Sequence, residues 1–343
     1  MNNSITYLKA LGIVLMAMDH SMCSVPFVVT FIAMFHMPMF FFASGYCFKE
    51  KYLSSPFTYL KRRAKGLYWP FIKWGVLFLL LRPLFFVLHV YDTEYGFHGV
   101  GAEPYDLKQT LWCCWIIVTQ MRGTDWLLSG YWFLNALFFG SLIAWVIIRF
   151  TKNVTYAPVI ALLLLVLVHI TNFHIVFLNL NTRAFAAAFY LVGGYALKMK
   201  NVQPFSLKTI IGSLVLIFIA SRFWSMPLNT TEYEGWHLFP FVLMSLLASW
   251  TMYSLFVRYT LSGRADSIVR YVGENTLTIL TWHLLAFKLV SLLIIVVYHL
   301  PIGRLGEFPV IVEYAYKGWW ALYLVVGVAL PLAFLHITVK KHA

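Results

Sequence analysis

Residues 5–23 read ITYLKALGIVLMAMDHSMC. The run is almost wholly apolar and close to the roughly 20 residues a helix needs to cross a hydrocarbon layer, yet it holds Lys9, Asp19 and His20. Nine more runs of the same character follow, at 27–48, 69–90, 131–150, 156–173, 184–197, 209–224, 238–257, 268–297 and 318–339. The sixth is short and the ninth long, so a break in either helix is expected where protein or water covers the backbone. Composition agrees: 61% of the 343 residues are hydrophobic and only 11% charged, against about 25% charged in soluble chains, and mean hydropathy is +0.76. Too few polar side chains remain to coat a water-facing surface, which excludes a soluble globular protein. The expected fold class is all-α, a polytopic transmembrane helical bundle of about ten spans. No cleavable signal peptide is expected, because the first run carries three ionisable residues and leads straight into another run.

The net charge of +13 would raise nucleic acid as a partner of a soluble domain, but here the basic residues sit between apolar runs and no nucleic acid partner is expected. Lys49, Lys51, Lys61, Arg62, Arg63 and Lys65 follow the second run. Arg149 and Lys152 follow the fourth, Lys198, Lys200 and Lys208 the sixth, Arg258, Arg264 and Arg270 the eighth, and Lys340 and Lys341 the last. The opposite loops carry Asp92, Glu94, Glu103, Asp106, Asp125, Glu232, Glu234, Glu307 and Glu313. Every even-numbered exit is basic, which places both termini in the cytoplasm. Residues 91–130 form the longest outside loop, and its apolar stretch 111–118 is too short to span, so it is expected to be interfacial or re-entrant. One membrane-embedded domain is expected over residues 1–343. Cys23, Cys47, Cys113 and Cys114 have neither CxxC nor zinc spacing, so no metal is expected and the cysteines read as packing residues.

An ionisable group at bilayer depth costs about 2.5 to 3.5 kcal/mol or more and marks a functional site by default. Lys9 and His20 are eleven residues apart, three helical turns plus roughly 20° and about 16 Å of rise, so they share one stripe at two depths. Asp19 is turned about 80° from that stripe. A cation near the cytoplasmic mouth suits an anionic substrate; the imidazole deeper in suits a base or a nucleophile. The bland alternatives are a snorkelling Lys9 and a His20 bonded to a neighbouring helix.

The run from Lys9 to His20, a basic residue and then His after ten residues, resembles the first helix of the acyltransferase 3 family of integral membrane O-acyltransferases. Lys at the first position, where Arg is usual, is similar to fucose 4-O-acetylase-like members. Residues 35–46, FHMPMFFFASGY, resemble the second-helix motif, followed by YLKRRA at 59–64 and YWPF at 68–71; YWFL at 131–134 and VGENTL at 272–277 with His283 complete the likeness. The resemblance implies ten spans, a cytoplasmic acyl-CoA donor, a carbohydrate acceptor on the other side, and a bacterial cytoplasmic (inner) membrane.

The implied reaction moves an acyl group, acetyl by expectation, from acetyl-CoA to a glycan hydroxyl. The donor is a substrate; no permanently bound cofactor is expected. His20, with Asp19 beside it, is the catalytic candidate, as base or as acyl carrier. Lys9, Lys61, Arg62, Arg63 and Lys65 are the acyl-CoA candidates, though the last four also read as a topogenic, lipid-binding cluster. His36 either satisfies the carbonyl freed by Pro38 or lines the site. Tyr131 and Trp132 stack on a sugar or anchor the interface, while Arg183 and His283 are candidate site-lining residues. Glu274 and Asn275 read as a helix cap, and His169 as structural. Two alternatives stand beside this reading: a lipid- or protein-modifying acyltransferase using His169, and a proton-coupled transporter using Lys9, His20 and Arg183 as a relay. Oligomeric state is not legible.

Overall fold

A computed structural model describes residues 3–151, 153–226 and 235–340; Lys152, Glu232, Glu234 and Lys341 of the charge pattern lie outside the described residues. In chain order the helices are α1 (Asn3–His20), α2 (Val28–Ala33), α3 (Pro38–Tyr46), α4 (Pro56–Arg63), α5 (Trp69–Val87), α6 (Leu107–Gln120), α7 (Trp132–Phe150) and α8 (Ala157–Ile170). They continue as α9 (Thr182–Met199), α10 (Leu207–Trp224), α11 (Leu238–Arg258), α12 (Gly263–Glu274), α13 (Thr276–Tyr298), α14 (Val312–Tyr314) and α15 (Trp320–Lys340). One two-residue hairpin, β1 (Gly96–Phe97) against β2 (Val100–Gly101), is the sheet among the described residues. The all-α membrane class read from composition is what folds.

Seven described helical stretches are long and apolar enough to cross a membrane: Val28–Tyr46, Pro56–Val87, Trp126–Phe150, Leu207–Trp224, Leu238–Arg258, Thr276–Tyr298 and Val312–Thr338. The other three predicted runs fall on α1, α8 and α9. Several boundaries move, each for a physical reason. The first helix stops at His20, two residues before Met22 takes a left-handed backbone (φ 56). The second run is divided at residues 34–37, since Pro38 cannot donate into a continuing helix and instead starts α3. The ninth run is two helices. Ile268, Val269 and Val272 extend its hydropathy backwards, but α12 also carries Arg264, Asp266, Arg270 and Glu274, and the helix breaks at Asn275 (φ −112, ψ 27). Asn275 occupies the N-cap position of α13 without the side-chain hydrogen bond of a cap. The loop 91–130 holds the hairpin and α6, a 14-residue helix started by a capping box between Asp106 and Gln109.

The helices cluster into two compact units, each assembled from separate parts of the chain. The first unit comprises Met1–Gly12, Thr30–Pro70 and Trp132–Glu274. Its core is α9, buried along almost its whole length and packed against α3, α7 and α8. Lipid tails are as apolar as leucine, so helices associate in a bilayer where small residues let backbones meet. The sequence of α9, TRAFAAAFYLVGGYALKM, is built for that. A Cβ added at Gly194 would stand 2.4 Å from the Phe42 carbonyl oxygen, and one at Gly45 of α3 would stand 1.9 Å from that of Leu191. The short, weakly hydrophobic reading of this segment has the same cause: its surroundings are protein, so Ala and Gly replace larger apolar residues. By contrast α10 turns Ile211, Val215, Phe218 and Ile219 outward, as a lipid-facing helix does.

The second unit comprises Ile13–Val29, Phe71–Tyr131 and Asn275–Ala343. Here α13 is central and packs along α15, with Ser291 Oγ 2.8 Å from Tyr323 Oη. Thr281 Oγ donates to Leu277 O at 2.8 Å, so the Tyr131 hydroxyl is the donor in its 2.7 Å bond to Thr281. Lys288 is buried and its Nζ donates to the carbonyls of Leu305 and Glu307 at 2.9 and 2.7 Å. On α5, buried Arg82 donates to Glu103 O at 2.8 Å and lies 3.9 Å over the Tyr105 ring, tying the 91–130 loop to the helix. Within that loop Tyr91 Oη donates to Asp125 at 2.5 Å. Burial pushes the Asp125 carboxyl above the usual range, against the opposing pull of Tyr91 and Arg82.

Candidate active site

His20 closes α1 and is half-buried. In the second unit its Nδ1 lies 2.8 Å from Nε2 of His283, and the rings are nearly parallel, 21° apart with centroids separated by 5.1 Å. His283 is fully buried on α13, edge-on to Phe287 at 5.7 Å, with its own Nδ1 3.0 Å from Ile279 O and 3.1 Å from Leu280 O. A base held by a second, rigidly held group is the arrangement that proton-transfer catalysis needs. Asp19 is half-exposed and no described hydrogen bond joins its carboxylate to the His20 ring. The imidazole partner of His20 comes from α13.

Tyr131 is buried and fixed to Thr281, two residues before His283 on α13. It also lines a small cavity of about 10 Å³ with Phe71, Gly75, Thr124, Asp125 and Leu128. Tyr131 therefore acts as a pin between two elements of the second unit, while its neighbour Trp132 belongs to the first.

In the first unit, Trp132 faces Arg183, whose guanidinium is 5.8 Å from the indole ring. Arg183 is the second residue of α9 and buried; Asn181, the N-cap, accepts from both its backbone N–H and its Nε at 3.1 and 3.2 Å. The pairing of Trp132 with Arg183 places an aromatic face and a buried cation side by side at the start of α7 and α9. Lys9 is half-buried within α1. Because α1 is unbroken from Asn3 to His20, the register expected between Lys9 and His20 is kept.

The basic cluster divides. Lys61, Arg62 and Lys65 are exposed, and Arg62 lies 5.9 Å from the Tyr52 ring. Arg63 turns inward, donating Nε to Tyr59 Oη at 3.0 Å and Nη2 to Ser44 Oγ at 2.9 Å, so it ties α4 to α3. Lys198 does the same for the C-terminal end of α3, donating to Phe48 O at 2.8 Å. Cys47 is exposed, which corrects its reading as a packing residue. His36 is buried and its Nδ1 is 2.9 Å from Ile32 O. That carbonyl is the one four residues back, not the Met34 carbonyl that Pro38 leaves without its helical donor. His169 is half-buried and meets Phe239 edge-on at 5.5 Å, an apolar packing contact.

Arg82, Asp125, Thr281 and Lys288 were not singled out from the sequence. For Arg82 and Lys288 the signal was present, since each is an ionisable residue inside an apolar run. For Asp125 and Thr281 none was, because nothing in their local sequence announces a partner elsewhere in the chain.

No curated protein and no solved structure matches the chain. The acyltransferase 3 family model, an acyltransferase domain, matches residues 2–338, nearly all of it. The chain therefore belongs to the acyltransferase 3 family and is an integral membrane acyltransferase of groups other than aminoacyl groups.

Proposed function

We propose that this acyltransferase moves an acetyl group from cytoplasmic acetyl-CoA to a hydroxyl of a cell-surface or lipid-linked glycan in a bacterial cytoplasmic membrane, with His20 as the general base. The observation that carries the reading is the 2.8 Å bond between His20 and His283, a held imidazole in a chain whose family performs acyl transfer. In the reaction His20 takes the proton of the attacking hydroxyl, the oxygen forms a bond to the thioester carbon, the carbon–sulfur bond breaks, and the proton passes to the leaving thiolate.

Lys9 and the exposed Lys61, Arg62 and Lys65 are assigned to the donor's phosphates, which basic side chains attract as point charges or forks. Arg63 belongs to this set by sequence, and its bonds to Tyr59 and Ser44 support a supporting role there. Trp132 and Arg183 are assigned to the acceptor, an aromatic face for the sugar ring beside a donor for its oxygens. Lys at position 9, similar to fucose 4-O-acetylase-like members, supports a sugar hydroxyl as the target. Ten spans with both termini in the cytoplasm are part of the same proposal.

The test is incubation of inverted membrane vesicles with acetyl-labelled acetyl-CoA, followed by extraction of the glycan fraction. Label appearing there as a base-labile ester, and absent from vesicles lacking the protein, is the expected result. Label confined to protein or lipid with an unlabelled glycan fraction overturns the acceptor assignment.

A further inference from the structure

A neutral imidazole donates through one ring nitrogen and accepts through the other, whereas a backbone carbonyl only accepts. The Nδ1 of His283 faces two carbonyls, Ile279 O at 3.0 Å and Leu280 O at 3.1 Å, so this nitrogen carries the ring proton. Its Nε2 is then a bare lone pair. The hydrogen in the 2.8 Å contact with His20 therefore sits on His20 Nδ1, and the nitrogen of His20 left unprotonated is Nε2.

We infer that His283 is the positioning residue of the transferase: it locks His20 in the one tautomer whose Nε2 accepts the acceptor hydroxyl's proton. The inference rests on the reading of His20 as base. Once Nε2 is loaded, the Nδ1–H bond to His283 becomes charge-assisted and stronger. His283 thus favours the protonated state of the base without itself taking a proton. The proton moves from the sugar oxygen to His20 Nε2 and then to the thiolate sulfur, while carbon–oxygen bond formation balances carbon–sulfur cleavage.

The lock is only as good as the support of α13, and that helix is held along its length. Tyr131 bonds Thr281 below the ring, and Lys288 and Ser291 above it bond to Leu305, Glu307 and Tyr323. A site residue held by packing and by a second set of hydrogen bonds keeps its geometry through the reaction.

Two substitutions separate positioning from packing. In His283→Asn the amide N–H stands where Nδ1–H was and keeps the carbonyl bonds, but the side chain ends short of His20. In His283→Gln an amide oxygen reaches the place of Nε2 and accepts from His20 Nδ1–H. With native vesicles, endogenous glycan and varied acetyl-CoA, His283→Asn is expected to lower the saturated rate about 10²- to 10³-fold with KM for acetyl-CoA changed by less than about twofold, while His283→Gln stays within about tenfold of native. Native turnover in His283→Asn, equal losses in Asn and Gln, or a rise in KM in place of a fall in rate overturns the positioning role. A native chain that labels no acceptor refutes the functional reading, and the inference with it; an active native chain indifferent to both substitutions refutes the inference alone.

Discussion

Replacing His20 by Ala separates two quantities that the structure sets at different sizes. As the proposed base, His20 contributes the roughly 10²- to 10⁴-fold that positioned proton transfer typically supplies, or about 3 to 5 kcal/mol of barrier at 1.36 kcal/mol per tenfold. As a structural element it contributes less. His20 is the last residue of α1 and half-buried, and its deletion removes the hydrogen bond to His283, leaving one buried acceptor unmet at a cost of about 1 to 3 kcal/mol. The expected outcome is a variant that reaches the membrane in near-native amount, elutes as a single species in detergent with a modestly lowered Tm, and transfers acetyl label to glycan at least about 100-fold more slowly. The assay is the initial rate of base-labile label in the glycan fraction of inverted vesicles, normalised to folded protein. Native-rate labelling by His20→Ala would refute the reasoning, since some other group would then be removing the hydroxyl proton.

Gly45→Ala is expected to destabilise the protein by about 1 to 3 kcal/mol or more, because its Cβ would fall 1.9 Å from a backbone oxygen of α9, an atom that cannot swing aside. A native Tm in detergent would show that α3 and α9 do not approach so closely. The triple substitution of Lys61, Arg62 and Lys65 by Ala, all exposed, is expected to raise KM for acetyl-CoA and flatten its salt dependence while leaving the saturated rate unchanged; an unchanged KM would assign the cluster to topology and lipid alone. Burial pushes the Asp92 carboxyl up, but the N–H groups of Glu94 and Tyr95 and the His89 ring outweigh it and hold it below the usual range. A depressed carboxyl stabilises above its unfolded value of about 3.9 and loses that contribution as pH falls through the lower folded value. Hydrogen-exchange protection of the Glu94 and Tyr95 amides should thus fall on acidification below about 3.9; protection factors flat from pH 6 to 3, or equally acid-sensitive in Asp92→Asn, would contradict this.

The membrane class, the apolar segments and the family motifs were legible in the chain because each rests on local quantities: the transfer free energy of a segment, or residues a few turns apart on one helix. The register of Lys9 and His20 is such a quantity, and α1 keeps it. Helix breaks were legible only in part. Pro38 announces one, since a missing donor is a property of the residue, but hydropathy runs straight through Asn275 because it averages over Ile268, Val269 and Val272 without seeing that their neighbours are charged.

What only the tertiary structure decided is the pairing of side chains from different segments. His20 and His283 are 263 positions apart, and no periodicity of either helix points to the other. Arg63 and Lys61 look alike in the sequence, yet one bonds Ser44 and the other faces outward. Arg82 and Lys288 were visible as charges out of place but not as clamps on particular carbonyls. The physical reason is that entry into a bilayer is governed by each segment's own exchange with lipid, whereas helix association within it has almost no hydrophobic gradient to follow and depends on close packing and individual hydrogen bonds. Segment identity is therefore written along the chain, and the geometry of the site is written between its parts.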